Sequence, residues 1–301
     1  MRVAAIDCGT NSVRLLVRDL PGAQLHREMR VVRLGQGVDA TGSLHPDALE
    51  RTRVALADYA VICADLGVER TRMVATSATR DASNRSAFVD LVQSTLGVTP
   101  EVISGDEEAA LSFAGATGDL TDGAPYLVLD IGGGSTELVL GSDTVEASYS
   151  MDVGCVRLTE RHLVSDPPTP TQIAAAREDI DVALDRALAQ VPGALATTAV
   201  GLAGSVTTVA ALALGLAAYD PVAIHLTRLS AEQVDDIAER LLAMTRTERA
   251  ALPVMHPGRV DVIGGGALVL QSVVRRVGLA EVLVSESDIL DGIALSITEE
   301  T

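Results

Sequence analysis

The amino-acid sequence predicts an α/β protein built from two related halves. Short runs of Val, Ile and Leu alternate with longer helical patterns along the chain, and this alternation is typical of α/β proteins. The segment IDCGTNSVRLLV at 6–17 aligns without a gap with LDIGGGSTELVL at 129–140. A stretch dense in turn-forming residues, 118–125, lies between the two copies. The 301 residues are therefore expected to form one domain over 1–121 and a second over 122–301.

The first half begins with three predicted strands and continues with alternating helices and strands. The strands are short apolar runs, whereas the helices are longer and repeat apolar residues every three or four positions. Pro46 is expected at the first position of a helix, which is a favoured place for proline. The predicted strands are 2–7, 12–19, 24–34, 71–75 and 100–104, and the predicted helices are 46–66, 84–96 and 105–115.

The second half repeats this opening and adds more helices. Three strands again come first, and the proline of Thr169-Pro170 marks the start of a helix. The later apolar patterns have helical spacing and enclose two short strands. The predicted strands are 126–130, 135–141, 143–152, 198–202 and 281–284, and the predicted helices are 154–163, 170–190, 205–217, 230–243, 258–275 and 287–298.

The charge balance excludes one large class of partner. Asp and Glu total 41 against 23 Lys and Arg, which gives a formal net charge of −18. A nucleic-acid-binding protein needs a surplus of basic residues for phosphate contacts and aromatic residues for base stacking. Only 2% of the residues are aromatic. We therefore expect no nucleic acid among the partners.

Cysteine spacing and hydropathy predict the compartment. The three cysteines, Cys8, Cys63 and Cys155, are widely spaced without a CxxC pattern, which indicates neither a disulfide framework nor a zinc site. Cys8 is expected to be a small buried apolar side chain rather than a nucleophile. The most apolar stretch, 209–218, is too short for a membrane-spanning helix of about 20 residues. We expect a cytoplasmic protein that binds no membrane.

The two aligned segments predict a pair of phosphate-binding turns. Glycine lets a hairpin turn curl so that successive N–H groups point at one spot, and Ser or Thr hydroxyls add donors. An ordinary tight hairpin would explain one such turn. The recurrence of Asp7 as Asp130 favours phosphate binding, because a turn does not need the aspartate. The predicted phosphate-binding residues are Thr10, Asn11 and Ser12 in the first turn and Gly132, Gly133, Gly134 and Ser135 in the second.

The matched aspartates predict a metal ion. An Asp beside a phosphate would repel it unless a cation lies between them. Mg²⁺ takes one or two carboxylates together with phosphate oxygens and water. Asp7 and Asp130 are therefore candidate ligands of Mg²⁺, which is expected either alone or with a monovalent cation such as K⁺.

Two further charged residues are candidates for phosphate chemistry. Arg80 follows a predicted strand and could bind phosphate through two N–H groups, or it could be a solvated surface residue. The spacing of Ser104 and Glu107 predicts a capping box at the start of a helix. The cap leaves the next residue, Glu108, available to face a site, although an acidic helix start needs no functional reason.

Two other glycine runs precede predicted helices. Gly204-Ser205 and the run at 264–266 could bind an anion through a helix N-terminus, or could serve helix capping and close packing. No GxxxxGK[ST] motif is present, which argues against a P-loop enzyme. Three arginines, Arg14, Arg157 and Arg161, are candidates for guiding a polyanion, or are ordinary surface charges.

Several segments together resemble the Ppx/GppA phosphatase family, which comprises exopolyphosphatases and guanosine pentaphosphate phosphohydrolases. The matching segments follow the family's order across nearly the whole chain. They are AAIDCGTNSVRLLV, RLGQGVDATGSL, VATSATRDASN, VISGDEEAALSFAG, LVLDIGGGSTELVL, DVGCVRLTERHL, GLAGSVTTVAAL and VDVIGGGALVL.

The resemblance implies two ribonuclease-H-like domains of the actin, sugar-kinase and chaperone-ATPase superfamily, with the active site in the interdomain cleft. It implies Glu108 as general base, Asp130 at the magnesium ion, and Glu137 in catalysis or metal binding. It assigns Arg80 to phosphate contact and Gly204 with Ser205 to a third loop. It also implies that Asn11, Ser12, Gly132, Gly133, Gly134 and Ser135 form the two phosphate loops.

The expected function is hydrolysis of the terminal phosphoanhydride of inorganic polyphosphate. Long family members carry extra C-terminal helical domains, and this chain ends at Thr301 with few basic residues, which favours short polyphosphate unless a homodimer joins two surfaces. The alternatives are a guanosine pentaphosphate (pppGpp) phosphohydrolase, a kinase of the same superfamily, and a non-catalytic sensor of polyphosphate or nucleotide. The VIGGGA segment resembles an adenosine-binding turn and could bind a nucleotide.

Overall fold

The computed structural model describes residues 1–297 and contains two mixed β-sheets, one in each half of the chain. Contacts within the chain define unit 1 as Met1–Gly115 with the chain from Ile289 onward, and unit 2 as Ala116–Asp288. The predicted domain boundary after residue 121 lies a few residues beyond this division. The structure differs from the prediction in grouping the residues after 288 with the first half of the chain.

Unit 1 is a five-stranded sheet with helices on both faces. Its elements from the first half of the chain are the strands β1 (Arg2–Cys8), β2 (Ser12–Asp19), β3 (Gln24–Val31), β4 (Arg70–Ala75) and β5 (Glu101–Val102) and the helices α1 (Val38–Thr41), α2 (Pro46–Asp65), α3 (Ser77–Asp81), α4 (Arg85–Leu96) and α5 (Gly105–Thr117).

Unit 2 contains a six-stranded sheet and most of the helical mass. Its strands are β6 (Tyr126–Ile131), β7 (Thr136–Gly141), β8 (Val145–Met151), β9 (Thr198–Leu202), β10 (Arg228–Ser230) and β11 (Glu281–Val284). Its helices are α6 (Cys155–Arg161), α7 (Pro170–Leu188), α8 (Ala203–Ala213), α9 (Pro221–Ile224), α10 (Ala231–Ala243), α11 (Arg246–Ala250) and α12 (Ile263–Val277).

The two sheets share one strand order. The first runs β3-β2-β1-β4-β5 and the second runs β8-β7-β6-β9-β11, with β10 added at its edge. In each sheet the first three strands of the chain are antiparallel, and the next strand pairs with the opening strand in parallel. This common order is that of ribonuclease-H-like sheets. It confirms the predicted α/β class, and it shows the duplication in the topology as well as in the sequence.

A final helix, α13 (Ile289–Ser296), completes the core of unit 1. Its Ile289, Leu290 and Ile293 are buried with Val3 and Ala5 of β1. Arg27 of β3 donates two hydrogen bonds of 3.0 Å to the Asp291 carboxylate. These residues group with unit 1 because α13 covers an apolar face of its sheet.

Strand β1 divides its side chains between two cores. Ala4, Ile6 and Cys8 pack on the side of α2 and α4, whereas Val3 and Ala5 pack on the side of α13. Successive strand residues point to opposite faces. Asp7 therefore lies on the α13 side, at the carboxyl end of β1. Leu111 of α5 belongs to the same core, so α5 also covers this face.

Most predicted elements are present, with differences at their ends. The capping box of Thr169 and Gln172 confirms the predicted start of α7 at Pro170. Strand β3 ends at Val31 instead of continuing to 34, because the N–H groups of the following residues donate to backbone carbonyls of the turn between β1 and β2. Helix α12 begins at Ile263, not at 258. Among residues 1–297, no helix is both long and apolar enough to span a bilayer.

Candidate active site

The hairpin β1–β2 contains the first predicted phosphate-binding turn. The Gly9 N–H donates to the Ser12 carbonyl at 2.9 Å and closes the turn. The Thr10 hydroxyl forms a 2.8 Å hydrogen bond with the Ser77 hydroxyl, and both side chains are buried. The side chain of Thr10 therefore attaches the turn to α3.

Two backbone carbonyls of this turn, those of Thr10 and Asn11, are bound by the segment that follows β3, and this fixes the direction of the next two amides. The Gly35 N–H donates to the Thr10 carbonyl, and the Arg33 N–H donates to the Asn11 carbonyl, each at 2.8 Å. In a trans peptide the carbonyl and the following N–H point in opposite directions. The N–H groups of Asn11 and Ser12 therefore point away from the segment 33–35, as an anion-binding turn requires.

The second turn is bound in a similar way, but one residue earlier in the aligned segment. The Cys155 N–H donates to the Gly132 carbonyl at 3.0 Å, and the Val156 N–H donates to the Gly133 carbonyl at 2.9 Å. By the same peptide geometry, the N–H groups of Gly133 and Gly134 point away from α6. These two amides correspond in the aligned segments to positions 10 and 11 of the first turn.

Gly132 and Ser135 close the second turn. The Gly132 N–H donates to the Ser135 carbonyl at 3.0 Å, which repeats the bond from Gly9 to Ser12. Gly132 thus uses its amide within the turn, while Gly133 and Gly134 present theirs. The Ser135 side chain is buried.

Asp7 is paired with an arginine across the first hairpin. Asp7 of β1 lies directly opposite Arg14 of β2 in the antiparallel register. Arg14 donates to Asp7 Oδ2 from Nη2 at 2.6 Å and from Nε at 3.0 Å. The Asp7 side chain is 5% exposed and the Arg14 side chain 20%. The aspartate is therefore held by a positive charge inside its own hairpin.

Asp130 is paired with a second carboxylate across the other hairpin. Asp130 of β6 lies opposite Glu137 of β7, and both are buried. Directly opposed residues lie on one face of the sheet with Cβ atoms about 5 Å apart, and like charges there are destabilising. Ser150 of β8 donates to Glu137 Oε1 at 2.7 Å. A cation bound by this pair would relieve the repulsion.

The carboxylate pair fits the coordination of Mg²⁺. Within residues 1–297, no three His, Cys, Asp or Glu side chains form a group that could hold a metal ion by themselves. Mg²⁺ does not need such a group, because it keeps several waters and binds through one or two carboxylates and substrate phosphates. The donor set of Asp130 and Glu137 is therefore suited to Mg²⁺.

The structure brings Arg80 and Glu108 into contact. Arg80, in α3 after β4, donates from Nη1 to Glu108 Oε2 at 3.1 Å and to the Ile103 carbonyl at 3.1 Å. The Glu108 side chain is 10% exposed and that of Arg80 is 25% exposed. Both residues therefore lie at the edge of the sheet where β1 and β4 end, together with the first turn.

The helix start explains why Glu107 and Glu108 differ. The Glu107 N–H donates to the Ser104 hydroxyl at 3.2 Å, which confirms Ser104 as the cap of α5. The Glu107 carboxylate accepts a 2.9 Å hydrogen bond from Arg72, whereas the prediction had it reach back to the cap. Arg72 provides a stronger, charged donor on the surface. Glu108, one residue later, points to Arg80 instead.

Gly204 lies against an arginine that the sequence did not single out. The Arg259 Nη1 donates to the Gly204 carbonyl and to the Thr208 hydroxyl, each at 3.1 Å. A Cβ at Gly204 would lie 2.2 Å from the guanidinium carbon, so a larger residue there would displace the Arg259 side chain. The preceding Ala203 has a φ of 68°, a strained conformation for a residue with a side chain.

Ser205 and the third glycine run pack around Cys155. A Cβ at Gly266 would lie 2.0 Å from the Ser205 hydroxyl, and one at Gly265 would lie 2.8 Å from the Cys155 carbonyl. Burial raises the pKa of the Cys155 thiol, while the hydrogen bond with Ser205 opposes this shift. Close packing of α12 on α6 and α8 is thus a sufficient reason for these glycines.

Cys8 is buried, as predicted for a small apolar side chain. Burial, assisted by the charge of Asp7, raises the pKa of its thiol. A thiol that stays protonated is a poor nucleophile.

Each unit thus presents one glycine turn with outward amides. Unit 1 contains Asp7, Thr10, Asn11, Ser12, Arg80 and Glu108, and unit 2 contains Asp130, Gly132, Gly133, Gly134, Ser135, Glu137, Gly204 and Ser205. The cleft expected between the halves stays a prediction.

These features define an α/β protein of two related units with ribonuclease-H-like sheets, and comparison with known proteins identifies its family. Residues 17–301 match the Ppx/GppA phosphatase family. Exopolyphosphatase 2 of Mycobacterium tuberculosis is 55% identical to this chain over 98% of both sequences. The chain belongs to the Ppx/GppA phosphatase family.

Solved structures agree with this assignment. A crystal structure of an exopolyphosphatase-like protein superimposes with a TM-score of 0.96 at 45% identity, over 99% of both chains. An exopolyphosphatase from Cytophaga hutchinsonii superimposes with a TM-score of 0.91 at 26% identity, over 99% of this chain and 98% of the other. The fold is therefore shared along the full length of both proteins.

Proposed function

We propose that the protein is an exopolyphosphatase, which hydrolyses the terminal phosphoanhydride of inorganic polyphosphate and releases orthophosphate. The contact between Arg80 and Glu108 carries the proposal, because a nearly buried carboxylate lies beside an arginine, and arginine is a side chain suited to bind phosphate. Membership in a phosphatase family and the 55% identity to a relative named exopolyphosphatase support it.

The proposed reaction is an in-line attack of water on the terminal phosphorus. The water oxygen forms the new P–O bond, its proton passes to Glu108, and the bond to the bridging oxygen breaks. The bridging oxygen leaves with the shortened polyphosphate. Arg80 transfers hydrogen bonds from Glu108 to the phosphate oxygens when substrate binds, and this exchange frees the carboxylate to accept the proton.

Neutral donors hold the substrate in this proposal. The amides of Asn11 and Ser12 in unit 1 and of Gly133 and Gly134 in unit 2 bind phosphate oxygens. Such donors suit a protein with a net charge of −18, because the overall field repels a polyanion.

A divalent cation completes the proposal. Asp130 and Glu137 would hold Mg²⁺, which when bound supplies positive charge to phosphate oxygens. The predicted third loop, Gly204 and Ser205, would contact further phosphates. Arg259, which binds the Gly204 carbonyl, would position this loop.

Short polyphosphate is the proposed substrate. A long chain would have to cross a surface on which 41 acidic residues face 23 basic ones. Several of those arginines are occupied in ion pairs on the surface, such as Arg53 with Glu50 and Arg275 with Asp235. Local contacts to a few phosphates are therefore favoured over contacts along an extended chain.

Phosphate release from substrates of graded length tests the proposal. Tripolyphosphate, longer polyphosphates of defined length and pppGpp are incubated with the protein while Mg²⁺ is varied. We expect Mg²⁺-dependent release that is most efficient on short polyphosphate. More efficient release from pppGpp would favour the phosphohydrolase alternative. Binding of tripolyphosphate by calorimetry without any release would reject the enzyme and favour a sensor.

Two lesser proposals follow from the sequence. The first is a cytoplasmic location, because the three cysteines form no disulfide and this suits a reducing compartment. We also propose a homodimer, and sedimentation at micromolar concentration would detect it.

A further inference from the structure

We propose that Ser150 of β8 is a positioning residue, which holds the Glu137 carboxylate in the orientation that binds a divalent cation. The inference rests on the proposed function, since it deepens the cation site assigned there to Asp130 and Glu137. The contact that carries it is the 2.7 Å hydrogen bond that the Ser150 hydroxyl donates to Glu137 Oε1.

The three residues form one row across adjacent strands of the second sheet. Asp130 of β6 lies opposite Glu137 of β7, and Glu137 lies opposite Ser150 of β8. Residues directly opposite each other in antiparallel strands lie on the same face of the sheet. Glu137 therefore has a carboxylate on one side and a hydroxyl donor on the other.

The hydrogen-bond pattern of the sheet favours the contact with Ser150. The Gly132 N–H donates to the Ser135 carbonyl, and hydrogen-bonded pairs alternate with non-hydrogen-bonded pairs along antiparallel strands. Two residues further along each strand, Asp130 and Glu137 are again a hydrogen-bonded pair, so the backbone groups of Glu137 point to β6. Glu137 and Ser150 are then a non-hydrogen-bonded pair, in which the Cα atoms lie about 1 Å closer.

The first sheet has a different row at the same place. There Asp7 of β1 lies opposite Arg14 of β2, and Arg14 lies opposite Met29 of β3. The aspartate of that row holds the middle residue in an ion pair, and the third strand supplies an apolar side chain. In the second sheet the aspartate repels the middle residue, and the third strand supplies a hydroxyl donor. The donor thus occurs in the row whose aspartate cannot hold its neighbour.

The hydrogen bond restricts the movement of the Glu137 carboxylate. A glutamate side chain has several rotatable bonds, and repulsion from Asp130 favours rotations that take the carboxylate away. A hydrogen bond from a hydroxyl to a carboxylate is charge-assisted and fixes the position of the accepting oxygen. Glu137 is buried, so water has little access to replace this donor. Ser150 therefore opposes the rotation that would separate Glu137 from Asp130.

Metal titration without substrate tests the positioning role. Mn²⁺ is the probe, because the paramagnetic resonance of the free ion reports how much is bound. We expect S150A to bind Mn²⁺ about 10- to 100-fold more weakly than the wild type, the usual effect of losing the hydrogen-bond partner of a metal ligand. D130N should lose the binding, which identifies the ion as the one at the carboxylate pair. Absence of Mn²⁺ binding by the wild type would reject the proposal together with the cation site.

Ser142 provides the matched control. Its hydroxyl donates to Glu146 Oε1 at 3.0 Å, so S142A also removes a hydrogen bond from a serine to a glutamate. This bond is on the surface, at the turn of the β7–β8 hairpin. S142A should bind Mn²⁺ like the wild type. Equal Mn²⁺ affinities of S150A and S142A would overturn the proposal.

Two larger side chains at position 150 separate positioning from a structural hydrogen bond. Threonine keeps a hydroxyl donor, and valine has nearly the same size without the hydroxyl. We expect S150T to regain most of the Mn²⁺ affinity and S150V to remain as weak as S150A. A purely structural bond would lower the Tm of S150A and S150V in EDTA and leave their Mn²⁺ affinities unchanged, which would reject the proposal. The comparison of S150T with S150V decides the question even if S150A does not fold.

The outcomes separate this inference from the proposed function. If the wild type releases no phosphate from tripolyphosphate but S150A weakens Mn²⁺ binding, exopolyphosphatase activity is rejected and the role of Ser150 stands. If the wild type hydrolyses tripolyphosphate and S150A keeps the Mn²⁺ affinity of the wild type, the role of Ser150 alone is rejected.

Discussion

Neighbouring side chains of one type have different tasks at the start of α5. Glu107 is tied to Arg72 on the surface, while Glu108 is nearly buried against Arg80. Helix geometry separates successive residues by about 100°, so the two carboxylates must face different surroundings. Only the second one contacts Arg80, and it is therefore the carboxylate to which the proposed mechanism assigns the proton of the attacking water.

Replacement of Glu108 by Gln should therefore remove activity without unfolding the protein. We expect kcat to fall by about 10²–10⁴-fold, the usual contribution of a general base, with little change in KM. Steady-state phosphate release from tripolyphosphate measures the effect. E107Q, one residue away with the same change of charge, should keep near-normal kcat. Comparable losses in the two variants would contradict the assignment of the base.

Local patterns identified the residues near glycine turns but not their distant partners. Ser104, Glu107 and Glu108 belong to one helix start, so their roles could be inferred from spacing. Arg259 is different, because it contacts Gly204 across more than fifty residues of chain. Nothing in the segment around Arg259 specifies that contact. It depends on the packing of α12 against α8.

At the scale of elements, the sequence predicts the two matched hairpins but not the segments whose N–H groups bind the turn carbonyls. Alignment of the two copies predicts that the turns are alike, and the bonds from Gly9 and Gly132 confirm it. The direction of the turn amides depends on 33–35 and on 154–157, which follow the third strand of each half. Those segments share little sequence, so the alignment could not indicate their common role.

Repulsion between the two carboxylates of the second hairpin, Asp130 and Glu137, should make the metal-free protein less stable than a variant that lacks one of these charges. E137Q removes one of two facing charges, worth about 0.2–1 kcal/mol across a strand pair. In EDTA we expect its Tm to rise by roughly 1–4 °C. Mg²⁺ should raise the Tm of the wild type but not that of E137Q.

A matched variant on the same sheet controls for net charge. Glu146 of β8 is exposed, and E146Q makes the same change of charge away from the pair. E146Q should leave both the Tm in EDTA and the Mg²⁺ response close to wild type. A lower Tm for E137Q together with an intact Mg²⁺ response would contradict the role of the pair in binding a cation.

The shortest helices were not predicted, because they are too short to show a periodic apolar pattern. The helices α1, α3, α9 and α11 have four or five residues each. Apolar periodicity needs a window of about 11 residues to distinguish a helix from other structure. Caps and prolines mark some of these helices, as Asp220 does for α9, but no periodic pattern supports them.

At the scale of the molecule, sequence order alone could not assign α13. The apolar pattern at 287–298 predicts a helix, and it follows directly on the strand β11 of unit 2. Its partners, however, are β1 and β2 at the other end of the chain. Contacts of such long separation leave no local signal, which is why the predicted domains were continuous.

Gly292 should be critical for the attachment of α13. A Cβ there would lie 2.0 Å from the Leu111 carbonyl oxygen, which belongs to the backbone of α5. G292A should therefore destabilise unit 1 by about 1–3 kcal/mol. Amide hydrogen exchange should quicken in β1 and β2 and stay unchanged in β6 and β9.

A second glycine provides the control for this substitution. Gly264 of α12 has only the flexible end of Leu242 nearby, 3.4 Å from an added Cβ. G264A should change stability by no more than about 1 kcal/mol, since alanine suits a helix better than glycine. Slow exchange in β1 of G292A would show that α13 does not depend on this close approach.

The return of α13 to the first sheet has a consequence for biosynthesis. During translation the opening strands leave the ribosome long before the helix that covers them, and the whole of 116–288 is made in between. Val3 and Ala5 meanwhile lack the part of their apolar surroundings that α13 provides, and α5 is the earlier-made helix on that face. Unit 2 is therefore complete in sequence before unit 1, and a chain ending before Ile289 lacks one helix of the first core.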